Sequence, residues 1–472
     1  MKTTRLDLPV MASWMESNGR RLDGKPYLSG AFEAKEILKR LPVRKDSLQT
    51  LTKGGMKGIF IAPYFKRVYV NDREHGIPLL GNTDILMADI STASLLSRKV
   101  FEQYQSGLEL KEGWTLITCF GTVGNIAYCH GEMTQCAGST NFMRVVPDEN
   151  KILPGYLYAY LSSKFGVTLV TEKETGSVIP NLLPSHIADL PVPRLGDAIE
   201  NEVHELITEA ANLRNDAIYK IQRAIQMCLE SWGLSNDFKI NKPSSPDTFI
   251  VNSSNLRSRF DGFFHSSPSQ LSDASLENIS KNMPVYPLTE LTEEIFETPR
   301  FGRIEVERIY GTPFLSITEL GQFSPKAETY ISKKQAEKVR AIVKTGWIIL
   351  PRVGQLQGVF GRPTYIPPHL DNVAVSDNNI RLVSRNNLMS GYLFAALSTS
   401  IGYWQIIRQA CGTSIPYIDP NRLKQVLIPL PKDEIWKVIS NEVMTAMEKR
   451  SKAVLLEDQA ANLIEQAVVG QS

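Results

Sequence analysis

The stretch GYLYAYLSSKFG, residues 155–166, has a near copy far downstream in GYLFAALSTSIG, residues 391–402. Tyr156, Leu157 and Tyr160 recur at helical spacing, so the stretch predicts a short helix packed on a sheet. Two copies about half a chain length apart indicate an internal repeat. Such a repeat constrains the fold more strongly than any local pattern.

The repeat extends along nearly the whole chain of 472 residues, in one order and at an offset of roughly 235 to 240 residues. Chance similarity between apolar segments would not preserve both order and offset. The other matched strings are RLDG (21–24) and RFDG (259–262), GIPLLGNTDI (76–85) and GTPFLSITEL (311–320), GWTLITCFGTVG (113–124) and GWIILPRVGQLQG (346–358), STNFMRVVP (139–147) and SDNNIRLVS (376–384), GSVIPNLLPSHIADLPVP (176–193) and GTSIPYIDPNRLKQVLIPLP (412–431), and IENEV (199–203) and ISNEV (439–443).

Each repeat unit begins with a globular part of about 190 residues. The strings WTLITCF, NFMRVV, WIILPRV and NIRLV are short, rich in β-formers and bounded by Gly, Asn or Pro, as strands are. Together with the repeated helix they predict mixed α and β structure in both globular parts.

A long helical tail follows each globular part. In the first tail Asp197 is a candidate N-cap with Glu200 three residues on, and Gly233 stops the pattern. The predicted helix has about 32 residues, or roughly 48 Å of length. The second tail begins at Asp433. The apolar stripes comprise Ile199, Val203, Leu206, Ala210, Leu213, Ala217, Ile221, Ala224 and Cys228, and then Ile439, Val443, Ala446, Val454, Leu455, Ala461, Ile464 and Val468.

Each apolar stripe needs a partner, and the simplest partner is the other tail, in antiparallel orientation. The predicted fold is therefore α+β, with two tandem mixed α/β domains separated by two long antiparallel helices that form a coiled coil with pseudo-two-fold symmetry. The predicted parts are a first domain (1–196), a first spacer helix (197–234), a linker (235–248), a second domain (249–432) and a second spacer helix (433–472).

The charge balance is nearly even, with 52 basic against 50 acidic residues. A nucleic-acid surface would therefore have to be a local patch. Residues 1–20 lack the apolar core of a signal peptide, and the longest uncharged run, residues 113–129, is shorter than the ~20 residues of a membrane span. We expect a cytoplasmic protein with no membrane partner.

The chemistry-bearing residues form no recognisable catalytic or metal motif. The sequence has no phosphate loop, GxSxG or HExxH, and PDENK (147–151) lacks the strand that separates the acids of a nuclease site. Cys119, Cys129, His130 and Cys136 lack the paired CxxC spacing of zinc sites, so we expect buried reduced thiols. The interpretation is a binding protein, not an enzyme, without metal or cofactor.

The doubled set of strings GTVG, GYLYAYLSS, GSVIPNL, ADLPVPRL and IENEV resembles the specificity subunit of type I restriction-modification systems. The resemblance covers nearly the whole chain and rests on the ordered set rather than on one motif. It implies an antiphage restriction-system protein whose two target recognition domains each read one half of a bipartite DNA sequence. It further implies that the long helices dock two methyltransferase subunits.

The same resemblance places catalysis on partner chains, namely the methyltransferase subunits and restriction or translocase subunits, with double-stranded DNA as the shared ligand. The sequence departs from the family in RVGQLQG, which stands where the first copy has CFGTVG. Asn201 and Asn441 stand near a position where the family usually has Gln. These departures concern docking contacts rather than architecture.

The segments that differ between the copies, 53–76 and 297–311, are where two domains reading different half-sites would differ. Base reading uses Arg, Lys, Asn and Gln at groove edges, with further Lys and Arg on phosphates. The candidate DNA-binding residues are Lys57, Lys66, Arg67, Arg73, Thr122 and Asn125 in the first domain, and Arg300, Arg303, Arg352, Gln355 and Gln357 in the second. The candidate partner-interface residues are Val203, Leu206, Leu213, Ile221, Val443, Leu455 and Ile464.

A plainer interpretation accompanies each candidate. A surface Lys or Arg is usually only solvated, and the helix stripes are core first and partner interface second. Arg144 and Arg381 occupy equivalent strand positions, which favours a structural role. Two other functions stay open for the chain: the same scaffold in another antiphage assembly, and a nuclease or methyltransferase with an unrecognised site.

Overall fold

The computed structural model describes residues 11–17, 30–172, 180–242, 246–256, 259–356, 358–412 and 414–470. The chain divides into two compact units, unit 1 with residues 1–215 and 452–472, and unit 2 with residues 216–451. Three predicted features lie outside the described residues: RLDG at 21–24, residues 176–179 of the GSVIPNL string, and Gln357.

Unit 1 combines short strands with helices. Its helices are α1 Ala12–Ser17, α2 Ala31–Arg40, α3 Arg98–Gln103, α4 Gln105–Leu108, α5 Pro154–Ser162, α6 Lys164–Glu172, α7 Pro184–Ile187 and the first part of α8 Asp197–Ser231. Its strands are β1 Lys45–Ser47, β2 Ile59–Ile61, β3 Tyr69–Val70, β4 Gly76–Leu80, β5 Leu95–Ser97, β6 Thr115–Thr118, β7 Ile126–Tyr128, β8 Ala137–Gly138, β9 Phe142–Val145 and β10 Pro191–Pro193.

Unit 2 follows the same plan. Its helices after α8 are α9 Ser267–Ser280, α10 Leu288–Leu291, α11 Ile317–Leu320, α12 Lys333–Lys338, α13 Asn387–Ser398, α14 Ser400–Ile407, α15 Pro420–Leu423 and the first part of α16 Ile435–Gly470. Its strands are β11 Val285–Pro287, β12 Thr292–Glu297, β13 Gly311–Leu315, β14 Thr329–Ser332, β15 Ile348–Pro351, β16 Thr364–Tyr365, β17 Ala374–Val375, β18 Asn379–Ser384 and β19 Leu427–Pro429.

The sheets of the two units correspond strand for strand, with one exception. An antiparallel sheet has the order β2-β9-β6-β7 in unit 1 and β12-β18-β15-β16 in unit 2. A second sheet has the order β3-β5-β4-β8 in unit 1 and β14-β13-β17 in unit 2, where a single bridge between Glu305 and Ile331 of β14 stands in place of β3. In both units the last pair of this sheet is parallel. The mixed α and β architecture predicted from the repeat is confirmed.

The repeated stretch at 155–166 is not one short helix but two, because α5 ends at Ser162 and α6 begins at Lys164. The second copy divides in the same way, between α13 and α14. A side chain at Gly166 would overlap the Tyr160 carbonyl oxygen, and one at Gly402 would overlap that of Ala396. Glycine therefore allows the second helix to fold back closely onto the first.

The long helices have 35 and 36 residues, close to the predicted length. The predicted capping box at the start of α8 is wrong, because the helix already includes Asp197 and the Glu200 carboxylate accepts hydrogen bonds from Arg194 Nε and Nη2 at 3.1 and 2.8 Å. The second helix begins at Ile435, two residues after the predicted start at Asp433.

The predicted stop of α8 at Gly233 is confirmed by its hydrogen bonds. Gly233 has a φ of 75°, its N–H donates to the Glu230 carbonyl at 2.9 Å, and the Leu234 N–H donates to the Leu229 carbonyl at 2.9 Å. This pair of bonds is the Schellman motif, which satisfies carbonyls that the helix end would otherwise leave unpaired.

The long helices pair with each other inside each unit. In unit 1, Val203 and Ile207 of α8 share one core with Ile464 and Val468 of α16. That core also contains the helix α5 and the inner face of the antiparallel sheet. Each helix stripe is therefore part of the unit's main core.

The orientation of the two helices follows from ion pairs in unit 2. Asp216 pairs with Lys449 at 2.8 Å, and Lys220, one turn later on α8, pairs with Glu442 at 3.0 Å, earlier on α16. The contacts advance in opposite directions along the two helices, so the helices are antiparallel, as predicted.

The predicted stripe of α16 is partly wrong in its central part. Ala453 and Ala460 are fully buried there, whereas Leu455 is 63% exposed. Heptad spacing from Ala446 leads to Ala453 and Ala460, so two alanines hold the buried positions that the larger leucine was expected to fill.

None of the helices in the described part of the chain combines the length and the apolar character needed to cross a bilayer. All five cysteines are free, four of them buried, and burial raises the pKa of Cys119 and Cys136 to about 12. The predicted buried reduced thiols at Cys119, Cys129 and Cys136 are confirmed.

Candidate nucleic-acid interface

Each antiparallel sheet holds a buried arginine on one of its inner strands, below the candidate DNA-binding loops. Arg144 on β9 is fully buried, and its guanidinium donates to the carbonyls of Gly138, Ser139 and Phe142 at 2.6 to 3.0 Å. Burial lowers its pKa to about 10, so it stays a cation at neutral pH. Within the described residues it has no carboxylate partner, and the backbone carbonyls stabilise its charge.

Arg381 on β18 repeats this arrangement in unit 2. It is fully buried and donates to the carbonyls of Val375, Ser376 and Asn379 at 2.7 to 3.1 Å. Both arginines tie the central strand of one sheet to the turn that leads into it. They are inaccessible to DNA, and their role is structural.

The loop between β6 and β7 in unit 1 exposes Thr122 at its tip. Asn125 lies at the base of this loop, where its backbone N–H donates to Thr118 Oγ1 at 3.0 Å and its carbonyl accepts from the Thr118 N–H at 2.9 Å. Asn82 Nδ2 also donates to the Phe120 carbonyl at 2.6 Å. Of the two predicted contacts in this loop, Thr122 is therefore accessible and Asn125 is half-buried.

The matching loop between β15 and β16 in unit 2 has different charges. Arg352 is half-buried and forms an ion pair with Glu297 on β12, while Gln355 is exposed. Gly354 N–H donates to the Pro416 carbonyl at 3.2 Å, as Gly121 N–H donates to Pro180 at 3.1 Å in unit 1. The two loops share their anchoring and differ in their side chains.

The segment that joins the two sheets of unit 1, residues 62–75, carries three of the predicted contacts. Lys66, Arg67 and Arg73 are exposed, and within the described residues Lys66 and Arg67 form no ion pair. Lys57 is also exposed, on the short turn before β2. These cations are therefore accessible to a polyanion.

The end of that segment carries an exposed group of Asp72, Glu74 and His75, whose ligand atoms lie within 4.8 Å of one another. The Asp72 carboxylate accepts from the His75 backbone N–H at 2.8 Å, and this bond together with the ring contact lowers the Asp72 pKa. These contacts already account for the closeness of Asp72 and His75.

The corresponding segment of unit 2, residues 298–310, carries Arg300 and Arg303, both exposed. The Arg303 guanidinium lies 4.5 Å from the centre of the Phe314 ring, so its position is partly fixed. Exposed Glu305 and Glu307 reduce the positive charge there.

Sequence reasoning missed the exposed aromatic side chains of these joining segments. Tyr64 and Tyr69 in unit 1 and Tyr310 in unit 2 are all exposed. The signal was present in PYFKRVYV, residues 63–70, where aromatic residues stand on both sides of two adjacent basic residues. That pattern is typical of surfaces that bind nucleic acid.

The predicted partner-interface residues divide by burial. Val203, Val443 and Ile464 are fully buried in the core of their own unit, so they offer no surface to a partner. Leu206 and Ile221 pack partly against those cores and Leu213 is half-buried. Leu455 alone among the seven has a largely exposed side chain.

Comparison with known proteins gave matches among solved structures. No protein-family model matches the chain, and no curated protein matches it. The crystal structure of the S subunit of a type I restriction-modification system from M. genitalium matches with 12% identity and a TM-score of 0.31, over 91% of this chain and 93% of that one.

Two further structures match over similar lengths. The HsdS subunit from Thermoanaerobacter tengcongensis has 13% identity and a TM-score of 0.27, over 92% of this chain and 98% of that one. A chain from a study of assembly and conformational transition in the type I R-M system has 13% identity and a TM-score of 0.27, over 91% and 99%.

Proposed function

We propose that the chain is the non-catalytic DNA-recognition subunit of a cytoplasmic type I restriction-modification complex, in which each unit reads one half of an asymmetric bipartite target. The observation that carries this proposal is the duplicated scaffold with divergent surface segments. The same sheet order and the same buried arginine occur twice, while the exposed side chains of matching loops differ.

Duplication of this kind suits a ligand that also has two similar but unequal parts. Duplex DNA presents the same backbone at both half-sites and different base edges in the grooves. The repeated scaffold is suited to bind the DNA backbone, which is the same at both half-sites. The differing exposed side chains at Thr122 and Gln355, and those of Lys66 and Arg303 in the joining segments, fit different bases.

The accessible cations of unit 1 support the phosphate part of such an interface. Lys57, Lys66, Arg67 and Arg73 are exposed in a chain whose net charge is only +2. Each such contact releases condensed counterions from the duplex and makes binding sensitive to salt. The positive surface is local, as a recognition surface on a nearly neutral protein must be.

The resemblance of the sequence further supports partner docking on the paired long helices. Because the stripe is buried within the chain, docking would use the outward side chains of α8 and α16. Leu455, with its exposed aliphatic side chain on α16, is one such residue. The proposed partners are two methyltransferase subunits, together with restriction or translocase subunits.

The test is selection of bound DNA from a random duplex library with the chain assembled with methyltransferase subunits. The expected result is an enriched motif of two short conserved parts separated by unread bases. An enriched motif with one contiguous core, or no enrichment, would contradict the proposal.

Paired charge variants make the test specific for each unit. We expect Lys66→Ala with Arg67→Ala to weaken binding through the half-site read by unit 1, and Arg300→Ala with Arg303→Ala to weaken binding through the other. Lys39→Ala and Lys281→Ala, which remove exposed cations from α2 and from the end of α9, are the matched controls and should leave binding unchanged.

A further inference from the structure

Tyr64 is the most exposed of the large apolar side chains in the described part of the chain, with 93% of its surface accessible. It lies in the joining segment of unit 1, between β2 and β3. A single exposed aromatic ring is ordinary on a protein surface. The backbone at Tyr64 is unusual for an exposed position, because the residues on both sides of it are held by buried contacts.

Residues on either side of Tyr64 are anchored in a small core of unit 1. Ala62 and Phe65 are buried there, and the Phe65 ring lies 5.7 Å from the Tyr104 ring. Pro63 packs so closely on Gly107 that any side chain at Gly107 would overlap its ring. The backbone at Tyr64 is therefore already ordered. Binding of a ligand to this ring would cost the segment little conformational entropy.

The charges next to Tyr64 are all positive. Lys66 and Arg67 follow it by two and three residues, and residues 62–71 contain no acidic side chain. An extended chain spans at most about 3.6 Å per residue. The Cα atoms of Lys66 and Arg67 therefore lie no more than about 7 and 11 Å from the Cα atom of Tyr64. Phosphates along one DNA strand recur every ~3.4 Å of helix axis, so this reach covers two or three nucleotides.

The combination of ring and cations selects the occupant. An apolar protein surface would be a poor match, since Lys66 and Arg67 lie between the exposed Tyr64 and the exposed Val68 and Tyr69 and would be desolvated without a partner. Duplex DNA offers stacked bases for the ring and phosphates for the cations. The counterpart segment of unit 2 also exposes a ring, Tyr310, but the charges next to it are mixed, since Arg308 is accompanied by Glu305 and Glu307.

We propose that Tyr64 is a stacking residue that inserts at a base step of the half-site read by unit 1, with Lys66 and Arg67 bound to the flanking phosphates. The proposal rests on the DNA-recognition function proposed above and assigns a deformation of the duplex to one half-site only. Insertion of a side chain between base pairs unstacks them and bends the duplex, so recognition in that half includes the flexibility of the step.

The experiment uses the full chain assembled with methyltransferase subunits and the duplex obtained from the library selection. Affinity is measured for wild type, Tyr64→Ala and Tyr64→Phe, and 2-aminopurine is placed at successive positions of both half-sites to report unstacking. Ile250→Ala, which truncates a side chain that is 88% exposed outside the segment, is the control.

We expect Tyr64→Ala to weaken binding roughly tenfold or more and to abolish the 2-aminopurine signal, which should occur at one step of one half-site. Tyr64→Phe keeps the ring and should keep both. The slope of log K against log salt should be unchanged in Tyr64→Ala, whereas Lys66→Ala and Arg67→Ala should each reduce it by about one unit.

Three outcomes would overturn the inference: wild-type affinity in Tyr64→Ala, a 2-aminopurine signal that persists in this variant, or loss of assembly with the methyltransferase subunits instead of loss of DNA binding. Each of these leaves the proposed function intact if the wild-type complex binds its bipartite target. Failure of the wild-type complex to select any such target is the separate result that removes the proposed function itself.

Discussion

In unit 1 the loop after the central strand β6 has an exposed threonine, Thr122, at its tip. The matching loop of unit 2 instead contains Arg352, which forms an ion pair with Glu297. Below these loops the two units are nearly the same, since Arg144 and Arg381 donate to backbone carbonyls in equivalent positions. The difference shows that the buried polar contacts are kept in both units while the accessible ones are free to vary.

The largest effect expected from this comparison concerns specificity. On the proposed function, replacing residues 249–432 with the second recognition domain of a type I specificity subunit should change one half of the DNA target completely and leave the other half unchanged. Each mismatched base pair costs about 1–3 kcal/mol, so the original target should lose most of its advantage over other DNA. Selection from a random library measures this, and a change in both halves would contradict the assignment of one unit to one half-site.

The next effect concerns the buried arginines. Arg144→Ala leaves a cavity and removes the donor from three buried carbonyls, so we expect a loss of about 3–5 kcal/mol in the free energy of unfolding. Arg381→Ala should cost about as much. Urea unfolding measures the loss, and limited proteolysis identifies the unit that opens. Arg352→Ala, which removes a half-buried arginine, is the control, and an equal loss there would show that burial is not the cause.

A smaller effect is expected where a glycine of one helix lies directly against a residue of a long helix. A methyl group at Gly391 would lie 2.8 Å from the Ser440 carbonyl oxygen on α16, and one at Gly155 would lie 2.9 Å from that of His204 on α8. We expect Gly391→Ala and Gly155→Ala each to cost about 1–3 kcal/mol by thermal unfolding. Gly302→Ala, which has no atom within 4 Å of the added methyl, should be nearly neutral. Equal behaviour of all three would contradict the close packing.

The smallest expected effect is a pH dependence of the free energy of unfolding that comes from a histidine in unit 1. His130 in unit 1 is buried, its Nδ1 lies 2.7 Å from Asn215 Oδ1, and burial lowers its pKa to about 4. The unfolded state takes up a proton as the pH falls through about 6.5, while the folded state does not. Stability is therefore fully present above that pH and is lost as the pH falls toward 4, by about 2 kcal/mol near pH 5.

His130→Gln removes this titrating group and should flatten the dependence. Urea unfolding of both proteins between about pH 7 and 5 measures the difference. An identical slope in the two proteins would mean that His130 is not responsible.

The scaffold could be predicted from the sequence because its signals are local and occur twice. The strand at Thr115–Thr118 is β-rich and bounded by Gly113 and Gly121, and Gly233 marks the end of α8. The break between α5 and α6 could not be predicted in the same way. The apolar residues continue through it, and only the tertiary approach of Gly166 to Tyr160 shows why the chain turns.

Other features depend on contacts between distant residues. Ala453 and Ala460 fill buried positions on α16, and a small side chain gives a weak periodic signal beside Leu455. The pairing of Arg352 with Glu297 joins the loop after β15 to β12, which is far away in sequence, so the sequence alone presents Arg352 as a free candidate for base contact. The comparison of the two repeats predicted which segments vary, but not which of their side chains already form ion pairs within the protein.

The division of the long helices has a consequence for synthesis of the chain. The core of unit 1 includes Ala460, Ile464 and Val468, although nearly all its other residues precede residue 216. Domains usually fold in the order in which the ribosome releases them. Unit 1 is translated first, yet it cannot complete its core until the final turns of α16 have emerged, whereas every residue of unit 2 is already present by Ser451. The half of the protein whose synthesis begins first is therefore the half whose last core residues are the last to be synthesised.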